Sequence, residues 1–301
     1  MKRLLLSLVL SLGVLSATPA MAATPAMAAT PVMAAAPAFS ASQMSQVKLK
    51  DLSFQEVMHK FYSGQMTPTF ADDTYIDSLP NIGLGRADST AYRTVALMHP
   101  IELYYSADDE QRYLVTIEKV LVDSNSSEYC ESCGSKADLY SFKKLDNRSF
   151  QLVSRTSESV DFSSHYGSMN LQNNDIHDTL ESLGENLVGS IFMSEYMRQG
   201  YTNSSWAVLH LPENEFINTY ALGDAGSDNS GQEEEDSPFY YSYEGVVEVM
   251  PTNAKYYPIK LTYKGIPPDD LERPNFINKS FVMKFNPVKK VYETTSSFAD
   301  L

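Results

Sequence analysis

The segment Tyr256–Gly265, YYPIKLTYKG, alternates Tyr257, Ile259, Leu261 and Tyr263 with Pro258, Lys260, Thr262 and Lys264. Only an extended chain sends successive side chains to opposite faces, so this period of two predicts a strand with one face in a core and the other toward water. The same pattern recurs along the chain. TVALM (94–98) and IELYY (101–105) are short strand-like runs split by His99-Pro100, and RYLVTIEKVLV (112–122) is a longer one rich in β-branched residues. KADLYSF and SFQLVSR predict a hairpin around Leu145-Asp146-Asn147-Arg148, with Leu139, Tyr140, Phe142, Phe150, Leu152 and Val153 as its apolar side chains. YEGVVEVM (243–250) leads into the segment above. KSFVMKFNPVKKVYETT (279–295) predicts a closing hairpin with Phe281, Met283 and Phe285 inward, a turn at Asn286-Pro287, and Val291-Tyr292 returning. The expected class is therefore mainly β, with antiparallel strands in a sandwich-like or curved sheet and one short N-terminal helix.

That helix is marked by Ser53-Phe54-Gln55-Glu56, an S-x-x-E capping box. Phe54, Val57, Met58 and Phe61 then fall on one face, and Gly64 can end it. Residues 64–91 predict loop. Residues 155–178 are polar and broken. In 178–201 the Leu and Ile positions fit a 3.6 period, but Gly184 and Gly189 interrupt it. The preferred reading is a short helix to about Gly184 and a strand over Ser190–Met197. That strand would turn at Arg198-Gln199-Gly200 into SSWAVLHLP, where Trp206 alternates with Val208 and His210 and packs in a core.

The first residues are of another kind. Lys2 and Arg3 precede the apolar run Leu4–Leu15, and ATPAMA follows with small residues at Ala20 and Ala22. A charged start, a short apolar core and an A-x-A site predict a signal peptide over 1–22 and an exported, periplasmic or extracellular protein. The hexamer repeats at Ala23 and again, as ATPVMA, at Ala29, so cleavage after Ala28 reads equally well. Residues 23–46 predict an Ala/Pro-rich flexible leader. Residues 47–301 would form one large domain or two lobes near 47–155 and 156–301. No segment predicts a transmembrane anchor.

The net charge is −15. An acidic chain repels phosphate backbones, so nucleic acid is excluded as a partner, while a basic protein, a cell-envelope component or plain solubility fits. The two cysteines form one C-x-x-C, Cys130 and Cys133. A redox pair needs a helix N-terminus to lower a thiol pKa, whereas Gly134 and a strand pattern follow here and Glu128 and Glu131 flank the pair. Zinc needs two more ligands, and His165 and His177 are too widely spaced for a finger. An oxidising compartment favours a local disulfide, which is the reading adopted.

Gly223–Asp236, GDAGSDNSGQEEED, has the acidity of a calcium loop, but neither Gly226 nor Gly231 sets an EF-hand register. It predicts a mobile solvated loop whose Asp224, Asp228, Glu233, Glu234 and Asp236 bind cations weakly at most. No metal or other cofactor is implied. No G-x-S-x-G or H-E-x-x-H occurs, and the five histidines, at 59, 99, 165, 177 and 210, sit in no nucleophile or metal motif. Nineteen tyrosines raise glycan stacking, although strands enrich Tyr in any case, and Phe239-Tyr240-Tyr241 reads as sheet or rim.

The long strand Tyr113–Val122, the C-x-x-C-G of Cys130–Gly134, the aromatic hairpin Leu139–Leu152, the turn Gln199-Gly200-Tyr201 and the closing Lys290–Glu293 together resemble secreted bacterial β-rich proteins of unknown function. The resemblance implies an extracytoplasmic β-rich protein and carries no catalytic residue. Three functions follow as expectations. The first is a non-catalytic binder of a protein or envelope component, inhibitor- or immunity-like. The second is an envelope hydrolase without a local motif. The third is a thiol-disulfide protein using Cys130 and Cys133.

Overall fold

The structure is a computed structural model that describes residues 41–68, 74–85, 93–123, 126–127, 135–162, 164–165, 168–169, 176, 179–268 and 276–294. These residues all belong to one compact unit, Phe39–Leu301. The fold is mainly β, as the alternating patterns predict, with a large, mostly antiparallel sheet and few helices.

The first half holds α1 (Ala41–Met44), β1 (Lys48–Leu49), α2 (Phe54–Phe61), β2 (Met66–Thr67), α3 (Thr74–Asp77), β3 (Asn81–Leu84), β4 (Arg93–Met98) and β5 (Glu102–Tyr105). It continues through β6 (Gln111–Asp123), β7 (Ser126–Ser127), β8 (Ser135–Lys144), β9 (Phe150–Thr156) and β10 (Val160–Phe162). The long β6 is its spine, pairing with β4 and β5 on one side and β8 on the other. A two-stranded ribbon follows, β11 (Ser164–His165) and β12 (Ser168–Met169).

The second half is a meander: β13 (Leu180–Gly184), β14 (Leu187–Arg198), β15 (Tyr201–Leu211), β16 (Phe216–Asp228), β17 (Ser242–Val249), β18 (Ile259–Ile266), β19 (Ile277–Asn286) and β20 (Val291–Thr294). Each strand pairs antiparallel with the next. The junction between halves is β16, whose Phe216 and Ile217 pair parallel with Arg155 and Thr156 of β9.

Alternation along the strands sorts the apolar side chains into layers. Val115 and Ile117 of β6 and Tyr140 and Phe142 of β8 face α2, packing against Val57 and Met58. Their neighbours Leu114 and Leu139 face the other way, onto Val188, Leu209 and Ile217 of the second half. The second half then curls. Leu187, Ile191 and Val208 pack against Ile259, Leu261, Phe281, Met283 and Tyr292 on its own later strands. Register shifts in the β15–β16 ladder at Ser204/Ser205 and Trp206/Ala207 supply bends for that curl, because a bulge adds local twist.

Local rules explain the predicted elements that hold. Ser53 caps α2, its Oγ accepting from the Glu56 amide. The β14–β15 hairpin turns at Gln199 (φ 52°) and Gly200 (φ 78°), both left-handed, as a two-residue type I′ turn requires.

Three expectations need correction. The short helix to Gly184 is a strand, β13, paired with β14. Leu183 is buried there, and a Cβ on Gly184 would fall 1.9 Å from the Lys255 carbonyl oxygen, so glycine permits a close crossing of two backbones rather than ending a helix. The leader does not extend to residue 46. Met44 is fully buried with the α2 core, and Gln151 Nε2 donates to the Ser45 carbonyl at 2.7 Å. The 64–91 segment contains β2, α3 and β3, and Ile76 of α3 is fully buried against Val95 and Leu97.

Candidate functional site

Several polar clusters enter the interior. The first centres on Asp138 of β8. Its carboxylate accepts from the Tyr62 hydroxyl and, at 2.8 Å, from Ser159 Oγ, and it pairs with Lys119 Nζ at 2.8 Å. Lys119 also reaches Ser159 Oγ at 2.7 Å, the residue types of a Ser-Lys nucleophile dyad. Such a dyad needs a lysine free to take a proton, and this ammonium is held by a carboxylate. Tyr140 donates to the Tyr62 hydroxyl, and burial, followed by its neighbours Tyr140 and Asp138, drives the Tyr62 pKa far up, so the phenol stays protonated as a donor. This cluster ties α2 to the sheet.

The second is Glu118 of β6, fully buried. It receives the Tyr75 hydroxyl at 2.6 Å and meets His99 Nε2 at 2.7 Å. Tyr75 and Glu118 thereby fasten α3 to the sheet.

The third is Arg112, 4% exposed. It grips Glu213 through both oxygens, Nε at 2.9 Å and Nη2 at 3.0 Å, and reaches Glu110 at 2.8 Å. Burial opposes the guanidinium charge, but the two carboxylates outweigh it and raise its pKa. The fork fixes the β15–β16 turn to β6 and sets Glu213 at the edge of a cleft.

That cleft encloses about 430 Å³. The β13–β14 turn contributes Asn186, and the end of β15 with its turn contributes His210, Glu213 and Glu215. β16 contributes Asn218 and Tyr220, the loop before β18 contributes Lys255 and Tyr256, and the β19–β20 hairpin contributes Phe285 and Lys290. Alternation sends Trp206, Val208 and His210 to one face of β15, the inside of the curl, as the sequence predicts. Trp206 Nε1 donates to the Gly245 carbonyl at 2.8 Å.

His210 forms the cleft's floor at 3% exposure. Four rings surround it: Tyr220 at 4.8 Å, Phe285 at 5.0 Å, Tyr256 stacked at 5.7 Å and 15°, and Tyr292 at 5.9 Å. Its Nε2 meets the Tyr292 hydroxyl at 2.8 Å. Burial pushes its pKa down to about 3, so the imidazole is neutral at ordinary pH. At the rim, Lys255 lies 5.3 Å over the Tyr256 ring and 3.3 Å from Glu215. The cleft thus combines a rigid aromatic floor with amides, carboxylates and ammonium groups at its edge, a composition suited to holding a polar ligand with an apolar face.

Of the residues singled out in the sequence, Cys130, Cys133 and His177 lie outside the described residues, so the disulfide reading is carried by the sequence alone. His165 lies on β11, and His59 is exposed on α2. Asp224 and Asp228 are on β16, while Glu233, Glu234 and Asp236 occupy the turn beyond it. Among the described residues no group of three or more His, Cys, Asp or Glu could hold a metal ion. The turn beyond β16 is mostly exposed, as a solvated loop is expected to be, but hydrogen bonds brace it. Asn229, 4% exposed, accepts from the Tyr241 amide at 2.8 Å and donates to the Phe239 carbonyl at 2.9 Å. Gln232 Nε2 donates to the Gln199 carbonyl at 2.6 Å, bracing the acidic turn against the β14–β15 turn. Phe239 projects from it, 75% exposed, outside any strand.

Comparison with protein-family models, with curated proteins and with solved structures gave no match. Among the described residues no helix is long and apolar enough to cross a membrane.

Proposed function

We propose that this is a non-catalytic, exported binding protein that holds a component of the cell envelope in the cleft above His210. One observation carries the reading: four aromatic rings lock a neutral buried imidazole into a rigid floor, while the polar groups above it stand at an open rim. Binding sites of this kind gain affinity from preorganisation. The export expectation rests on the charged-then-apolar pattern of residues 2–22.

The hydrolase alternative is weaker on the same geometry. A glycosidase-type pair needs one carboxyl free to donate to a leaving group, and here Glu213 is gripped by Arg112 and Glu215 is in contact with Lys255. The test is co-sedimentation of the purified full chain with washed envelope fragments. Binding that Tyr256→Ala abolishes, in a variant that melts like the parent, supports the reading. Binding that is absent, or indifferent to Tyr256, contradicts it.

A further inference from the structure

We propose that the cleft is a subsite for a neutral saccharide of about disaccharide size, with a sugar ring packed against the partly exposed rings of Tyr220, Tyr256 and Phe285, Phe285 being tilted 59° to Tyr220 and 56° to Tyr256. This rests on the reading of the protein as a binder and names the ligand's chemistry. The centre of the aromatic cage is already occupied by His210, whose ring lies within 6 Å of each of its four neighbours. An organic cation therefore has no empty box to enter. A phosphate or other compact anion could reach Lys290 but would also meet Glu213 and Glu215, while Lys255 is already paired with Glu215. A flat, purely apolar ligand would strip water from the amide and charged rim without replacing its hydrogen bonds, which is costly.

A sugar ring avoids all three conflicts. Its C–H face needs an aromatic surface, and Tyr220 and Tyr256 are each partly exposed beside Phe285. Its hydroxyls each donate and accept, and so can use both the amides of Asn186 and Asn218 and the charged pair Glu215 and Lys255 at the rim. The Arg112 fork holds Glu213 in place at the edge, so that part of the rim is preorganised. The volume, about 430 Å³, falls within the range of small-molecule clefts.

The test is calorimetric titration and saturation-transfer NMR of the full chain with three probes, cellobiose, N,N′-diacetylchitobiose and digalacturonic acid. The expected result is binding of at least one neutral probe, weakened roughly tenfold or more by Tyr256→Ala, which corresponds to the loss of one stacking contact. Asn186→Ala, at an exposed turn position, weakens it too and covers the case in which Tyr256→Ala fails to fold. Phe239→Ala, at the exposed aromatic outside the cleft, leaves it unchanged. Preference for digalacturonic acid over both neutral sugars overturns the assignment of a neutral ligand. No binding of any probe, or binding indifferent to Tyr256 and Asn186, overturns the saccharide assignment. If envelope co-sedimentation still depends on Tyr256 in that case, the cleft binds a ligand of another class and the binding function stands. If that dependence is missing as well, both fall.

Discussion

The two halves of the sheet place polar groups in opposite ways. Between β4 and β10 they are closed pairs: Asp138 has Tyr62, Ser159 and Lys119 around it, and Glu118 has Tyr75 and His99. At the cleft of the β13–β20 meander the buried group is a neutral imidazole, and the charged groups stay at an open rim. The difference teaches where to look for function. A buried carboxylate held by hydrogen-bond donors from a helix fixes the position of that helix on a sheet. A buried neutral ring beneath polar groups at an open rim leaves binding capacity for something else.

The sharpest way to break the comparison is to remove the acceptor at the centre of the first half. Asp138→Ala strands the Tyr62 hydroxyl and the Lys119 ammonium in a poorly solvated place. We expect a loss of about 3–5 kcal/mol in urea unfolding, the usual cost of leaving one partner of a buried pair alone. Ligand binding at the cleft should survive in whatever fraction remains folded. A loss below about 1 kcal/mol would mean that the cluster is solvated like a surface pair.

Leu209→Ala comes next. Leu209 is fully buried in the core between the halves. Deleting its branch should cost about 2–5 kcal/mol, measured by the same unfolding experiment. If the two halves melt separately in the variant and together in the parent, that layer is what makes the unit cooperative.

The third concerns His210 and pH. The unfolded imidazole titrates at its ordinary value while burial pushes the folded one down to about 3, so the unfolded state takes up a proton first as pH falls. The stability contributed by a neutral His210 is therefore complete above about pH 6.5 and declines toward pH 3, by about 1.4 kcal/mol per unit. His210→Gln should lose this share of the acid sensitivity. Urea midpoints of parent and variant, compared at neutral and mildly acidic pH, should converge as pH falls. Parallel curves would show that the imidazole is not desolvated.

The smallest effect is at the helix. Ser53→Ala removes the cap on the Glu56 amide and should cost about 1 kcal/mol, with the cleft untouched.

The sequence made the strands legible wherever one face is buried, because Ile259, Leu261 and Tyr263 alternate with exposed or half-exposed neighbours. It marked the α2 cap and the Gln199-Gly200 turn through local chemistry that needs no tertiary information. It misled at 180–184, where Leu180, Leu183 and Leu187 recur at helical spacing, the strand carries a register shift between Ser182 and Gly184, and the deciding contact, the close approach of Lys255, lies about 70 residues away in the chain. The candidate site was legible only in part. The alternation put His210 on the same face as Trp206, but its cage is assembled from β16, the loop before β18, β19 and β20. No linear spacing encodes that meeting. Glu118 and Asp138 were hidden for the same reason, since a charged residue inside a strand looks solvent-facing until its partners are known.

The central claim is that ligand binding belongs to the second half and the closed polar clusters to structure. The most direct measurement is an amide ¹H–¹⁵N titration of the full chain with solubilised envelope glycan fragments. The expected shifts are confined to the cleft, around Asn186, Glu215–Tyr220, Lys255-Tyr256 and Phe285–Lys290, with the amides of Tyr62, Asp138 and Glu118 unmoved. Shifts concentrated around Asp138 or Glu118, with the cleft silent, would contradict it.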